Sequence, residues 1–125
     1  MRVAITSTGP SLDAAVDPRF GRCPYFLLVE TDDMSFKAVA NENGALGGGA
    51  GIQSARLVVQ EGARTVLTGN CGPNAHEALS AAGVEVVVGC SGTVSEVAER
   101  FKAGELRAVS APNVAPHSGM GGGQG

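Results

Sequence analysis

The succession of elements along the chain predicts a layered α/β domain, and three observations carry that prediction. Three apolar runs of β-favouring type fall before residue 41, ahead of any helical periodicity. From residue 52 onward helical and strand patterns alternate, which calls for parallel strands joined by right-handed crossovers. The chain has 125 residues and is 43% hydrophobic, enough for one domain with its own core and too apolar for a disordered chain.

Val3-Ala4-Ile5 is a short strand-type run, closed by Thr6, Ser7 and Gly9-Pro10. Tyr25 to Thr31 has a continuous apolar centre, and Asp32 to Ser35 turn it into the alternating run Phe36 to Ala40, so the pair reads as a hairpin. Past the glycine-rich passage Gly47 to Gly51, a helix is predicted from Ile52 to Glu61. Ile52, Ala55 and Val59 form its apolar face and Gly62 its stop. Thr65 to Thr68 reads as a buried strand ending at Gly69. Pro73 suits the first position of a helix through Ala82, because no N–H is lost there and its φ is already helical. Val84 to Val88 is a fifth strand. Thr93 and Glu96 fit a capping box, each side chain satisfying a backbone N–H that the helix leaves free, and Val94, Val97, Ala98 and Phe101 then repeat at helical spacing up to Gly104. Residues 111–125, dominated by Gly and Pro, predict a flexible tail beyond a domain of residues 1–110. The order β-β-β-α-β-α-β-α fits a ribonuclease H-like three-layer fold. Its five-stranded mixed sheet would have strand order 3-2-1-4-5, with the second strand antiparallel.

Charge narrows the function. Nine Lys and Arg against twelve Asp and Glu leave a net charge of −3, with no basic block, which argues against phosphate-driven nucleic-acid binding. Aromatic residues are only 4%, too few for a base-stacking platform. No stretch approaches the roughly 20 apolar residues of a membrane span. The opening run Met1 to Ile5 is too short for a signal peptide, so a cytoplasmic protein is expected. Three cysteines without C-x-x-C spacing point to reduced thiols rather than a disulfide framework.

In this topology Cys23, Cys71 and Cys90 fall beside loops on one edge of the sheet, which makes all three candidate metal ligands. Cys71 precedes Gly72-Pro73 at a helix N-terminus, where the helix dipole favours a thiolate. Arg19 and Arg22 flank Cys23 and could balance a bound anion. The glycine-rich passage, with Gly49 and Gly51, could cradle an anion at the first helix. It is not a P-loop, because no Gly-Lys-Ser/Thr follows, and Ser54 stands where a dinucleotide fingerprint needs its third glycine. A ribonuclease H-type nuclease is excluded, since Arg2 to Thr6 and Thr65 to Thr68 carry no carboxylate for its metal ions. His76 reads as a helix-surface residue, and His117 and Met120 offer soft donors in the tail. Two functions fit these loops. One is binding of a metal assembly by the thiols; the other is a regulatory or enzymatic domain that takes a small phosphorylated ligand on the same edge.

Four motifs carry a resemblance: Asp17-Pro18-Arg19-Phe20-Gly21-Arg22, Pro24-Tyr25-Phe26, Gly49-Ala50-Gly51-Ile52-Gln53 and Gly69-Asn70-Cys71-Gly72-Pro73-Asn74-Ala75. Together they resemble the dinitrogenase iron–molybdenum cofactor-binding family. Ser11-Leu12-Asp13 through Arg22 and the helix from Val97 to Gly104 are most similar to its orange-protein branch, whose members hold a molybdenum–copper sulfide cluster. The resemblance implies a carrier rather than an enzyme. Its cargo would be a metal–sulfur cluster of iron–sulfur, iron–molybdenum or molybdenum–copper type. Its partners would be the proteins that donate and accept the cluster, with neither nucleic acid nor membrane involved. Arg19, Phe20, Gly21, Arg22, Gly49, Gly51, Asn70 and Gly72 would surround the cargo. Cys23 and Cys71 would be thiolate ligands and Cys90 a weaker one. Many members carry a His ahead of the Gly49-Ala50-Gly51 motif; Leu46, Gly47 and Gly48 stand there in this chain, so that ligand is not implied.

Overall fold

A computed structural model describes residues 1–45 and 49–108. The tail expected from residue 111, with His117 and Met120, lies outside the described residues, as do Leu46, Gly47 and Gly48. The strands are β1 (Arg2–Ser7), β2 (Tyr25–Glu30), β3 (Phe36–Ala40), β4 (Thr65–Leu67) and β5 (Glu85–Val87). The helices are α1 (Ala50–Gln60), α2 (Pro73–Ala81) and α3 (Val94–Lys102), and a short 3-10 turn spans Glu42–Ala45. The sheet order is β3-β2-β1-β4-β5. β2 runs antiparallel to both β1 and β3, whereas β4 is parallel to both β1 and β5. This is the expected topology, with β1 at the centre.

Alternation of side chains across the pleat divides the core into two layers. Ala4, Phe26, Leu28, Val66 and Val86 face α1 and α2, packing with Ala55, Val58, Ala75 and Leu79. Val3, Ile5, Leu27, Val29, Leu67 and Val87 face the other way, onto Val94, Val97 and Ala98 of α3. Because β1 and β2 are covered on both faces, their centres are continuously apolar rather than alternating.

One face was misjudged. α1 begins at Ala50 and buries Ala50, Ser54, Ala55 and Val58, leaving Ile52 36% and Val59 38% exposed. The reason is close helix packing: a Cβ on Gly51 would lie 3.3 Å from the Ala75 Cβ. The side of α1 bearing small residues fits against α2, and the bulkier β-branched pair is turned outward.

At α3 the capping box forms as expected, with Thr93 N–H donating to Glu96 Oε1 at 2.8 Å and Glu96 N–H to Thr93 Oγ1 at 3.1 Å. Thr93→Ala is expected to cost about 1 kcal/mol of stability, read as a lower urea midpoint at unchanged slope. An unchanged midpoint would show that the exposed cap contributes nothing. Among the described residues, no helix is long and apolar enough to cross a membrane.

Candidate functional site

Three loops meet beside the N-termini of α1 and α2, and their backbones touch. Arg19 and Asn70 form an isolated parallel bridge, Phe20 N–H donates to the Asn70 carbonyl at 3.2 Å, and Asn70 Nδ2 donates to the Pro18 carbonyl at 3.1 Å. Glycine is required at two of these crossings. A Cβ on Gly69 would lie 2.7 Å from Pro18 Cα, and one on Gly21 would lie 3.0 Å from both Gly51 Cα and N. Behind the first loop, the buried side chains of Asn41 and Ser54 reach the Gly21 carbonyl. No sequence motif marks these two residues. The one available signal was the hairpin register, which sets Asn41 opposite Pro24.

Between the loops lies an open cleft of about 440 Å³. Phe20, Gly21 and Arg22 line one wall, Gly49 to Ile52 the start of α1, and Gly72 to Ala75 the start of α2. Both helices have glycine N-caps, Gly49 and Gly72, and neither receives a side-chain cap. Helix geometry leaves the first-turn N–H groups without intrahelical acceptors, and the helix dipole adds partial positive charge there. Arg22 brings an exposed guanidinium to the same wall. The cleft therefore combines two helix N-termini with one guanidinium, a donor set of the kind that suits an anion.

Six of the expected cargo residues line this cleft: Phe20, Gly21, Arg22, Gly49, Gly51 and Gly72. Arg19 and Asn70 stand outside the lining and act between the loops. Arg19 Nε and Nη2 donate to Asp17 Oδ1 and Oδ2 at 3.3 and 3.4 Å, while Asp17 itself is buried. That carboxylate raises the Arg19 pKa above its ordinary value. The charge of Arg19 is thus engaged locally.

The cysteines depart from expectation. All three are buried free thiols, and none lines the cleft. Cys23 Sγ donates to the Phe20 carbonyl at 3.3 Å, Cys71 Sγ to the Gly72 carbonyl at 3.7 Å, and Cys90 Sγ to the Val87 carbonyl at 3.7 Å. Cys23 and Cys71 belong to the α1–α2 layer, but Cys90 packs in the α3 layer across the sheet. A shared sheet edge therefore does not bring the three thiols together. Nor is Cys71 activated by the helix N-terminus: burial pushes its pKa up to about 11. Burial, reinforced by the Asp17 charge, pushes Cys23 up to about 12, and burial also raises Cys90. Removing a thiol from water disfavours its anion. Among the described residues, no three His, Cys, Asp or Glu side chains gather as a metal site. His76 is also buried rather than on the surface, with Nδ1 3.5 Å from Ser80 Oγ.

Comparison with known proteins gives this cleft its setting. A family described as dinitrogenase iron-molybdenum cofactor matches residues 1–104. The chain is similar to the apo form of the orange protein from Desulfovibrio gigas, at 41% identity and a TM-score of 0.88, over 90% of this chain and 96% of that one. It is also similar to a NifB candidate from Thermotoga, at 36% identity and a TM-score of 0.75, covering 86% of this chain and 91% of that one. An uncharacterized protein of Methanocaldococcus jannaschii is 31% identical over 94 residues, which span 73% of this chain and 80% of that protein. The chain belongs to the dinitrogenase iron–molybdenum cofactor family.

Proposed function

We propose that this protein is a carrier, not an enzyme, and that it holds an anionic metal–sulfur cluster in the cleft between α1 and α2. One observation carries the reading: two helix N-termini without side-chain caps open onto one cleft that also presents Arg22. Backbone N–H groups would donate to the sulfides of the cargo, and Arg22 would balance its charge with a charge-assisted bond. The name of the matched family supports a cargo of iron–molybdenum type, and iron–sulfur and molybdenum–copper clusters have the same anionic, sulfide-edged chemistry. The proteins that load and unload the cluster are its proposed partners, and the cytoplasm its proposed location. The reading rests on backbone donors and Arg22; ligation by Cys23, Cys71 or Cys90 would in addition require the metal to displace the proton of a buried thiol whose pKa is raised.

Anaerobic titration with tetrathiomolybdate, followed by desalting and assay of molybdenum and sulfide, tests the proposal. The wild-type chain is expected to retain the anion. Arg22→Ala is expected to weaken retention about tenfold, the loss of one charge-assisted contact. Cys71→Ala, once shown to be folded, is expected to retain the full load. Loss of the load in that variant would restore a thiolate ligand. Wild-type retention of inorganic phosphate in preference to the thiometallate would favour a phosphorylated small molecule, since the same donors suit phosphate.

A further inference from the structure

The loop that carries Arg22 has no regular secondary structure to hold it, yet it forms a whole wall of the cleft. Beyond its backbone contacts with Asn70, it is supported by two side chains that do not line the cleft. Asn41, 6% exposed, continues the hairpin past β3, with its backbone N–H donating to the Pro24 carbonyl at 2.8 Å. Its side-chain amide then reaches forward. Nδ2 donates to the Cys23 carbonyl at 2.8 Å and approaches the Gly21 carbonyl at 3.5 Å. Oδ1 accepts from Asn43 N–H at 3.2 Å and is 3.3 Å from Ser54 Oγ. Ser54, fully buried on α1, is also 3.4 Å from the Gly21 carbonyl. A hydroxyl has one proton, so Ser54 bonds either Asn41 Oδ1 or the Gly21 carbonyl at a given moment. Either way the chain of contacts joins β3, the loop and α1.

These contacts bear directly on the cleft. Gly21 and Arg22 form one wall, and Ser54 lies one turn beyond the Gly49 to Gly51 segment that forms the opposite wall. We infer that Asn41 and Ser54 are positioning residues: they set the separation between the Arg22 wall and the α1 N-terminus, and thereby the affinity of the cleft for its anion. The inference rests on the carrier reading above and adds what determines the geometry of that same site. Buried polar groups are costly to leave unpaired, so the two side chains and the carbonyls they serve act as one unit.

The test uses the full chain and tetrathiomolybdate, whose visible absorption gains a circular dichroism band when it is held in a fixed chiral site. Ser54→Ala removes one hydroxyl without adding bulk and is expected to fold. It should weaken binding about fivefold to tenfold and diminish or reshape the induced band. Asn41→Asp keeps the shape but turns the Nδ2 donor into a carboxylate oxygen facing two carbonyls, and should weaken binding further. The double variant should be little worse than Asn41→Asp alone, because the residues act through one contact chain. A merely structural role would lower the melting temperature and leave the affinity and band of the folded protein unchanged; that result in Ser54→Ala would overturn the inference. A wild-type chain that neither binds the anion nor gives a band would overturn the carrier reading, and the positioning role with it. Wild-type binding that Ser54→Ala matches in full would overturn the positioning role alone.

Discussion

Replacing Gly21 by alanine is expected to cut anion binding about a hundredfold while leaving the sheet folded. The new Cβ would lie 3.0 Å from Gly51 Cα and N and 3.3 Å from the Ala50 carbonyl carbon. All three are backbone atoms at the start of α1, so no side chain can rotate aside. Either the loop must lift or the helix terminus must shift. Overpacking of this kind costs typically about 1–3 kcal/mol. A hundredfold weaker association is about 2.7 kcal/mol, within the range of that strain if it is relieved by opening the cleft. Calorimetric titration with tetrathiomolybdate, alongside an amide NMR spectrum to establish folding, reads the result. Wild-type affinity in a folded Gly21→Ala chain would show that the backbone contact does not govern the site.

Alkaline pH is expected to destabilise the protein through its buried thiols. The folded-state pKa is raised from 9.0 to about 12 at Cys23 and to about 11 at Cys71. Below the unfolded value both states are protonated and the thiols have no effect on stability. Above it the unfolded chain releases protons that the folded chain keeps, so stability falls as pH rises from about 9 toward 12. At pH 10 each shifted thiol accounts for on the order of 1 kcal/mol, and Cys90 contributes in the same direction. Urea unfolding at pH 8 and pH 10 under reducing conditions measures the loss. Cys71→Ala should lose on the order of 1 kcal/mol less than the wild type between the two values. An identical loss in both chains would mean that Cys71 is not held neutral by burial.

The features legible in the sequence are those with a local cause. The hairpin of β2 and β3, Pro73 at the start of α2 and the Thr93–Glu96 box each depend on a few adjacent residues, and each stands where expected. Six cleft residues were also legible: Arg22, Gly49, Gly51 and Gly72 from their loops and helix starts, Phe20 and Gly21 through the family resemblance alone. What failed depended on contacts across the fold. The α1 stripe was only partly legible from periodicity: Ala55 is buried as expected, but close packing on α2 buries Ser54 and leaves the more apolar Ile52 and Val59 partly exposed. Cys90 stands in the expected loop, but a shared edge does not fix which face of the sheet a loop residue joins, and it packs in the α3 layer. At Cys71 the helix start was legible, but the burial in the α1–α2 core that raises its thiol pKa was not. Asn41 and Ser54 were missed because an isolated Asn and Ser look like ordinary turn and helix residues until the loop closes on them.

The glycine N-caps have one more consequence. Where a thiolate or imidazole holds a metal, donor softness and coordination geometry select the element. An amide N–H never meets the metal; it meets whatever atoms form the outer skin of the guest. A wall made of Gly21, Gly49, Gly51 and Gly72 would therefore discriminate by charge, size and the placement of electron-rich corners, and would be blind to the nucleus within. Elemental identity in such a system has to be imposed before the guest arrives, by the chemistry that assembles it. The fold can then stay constant while its guests change.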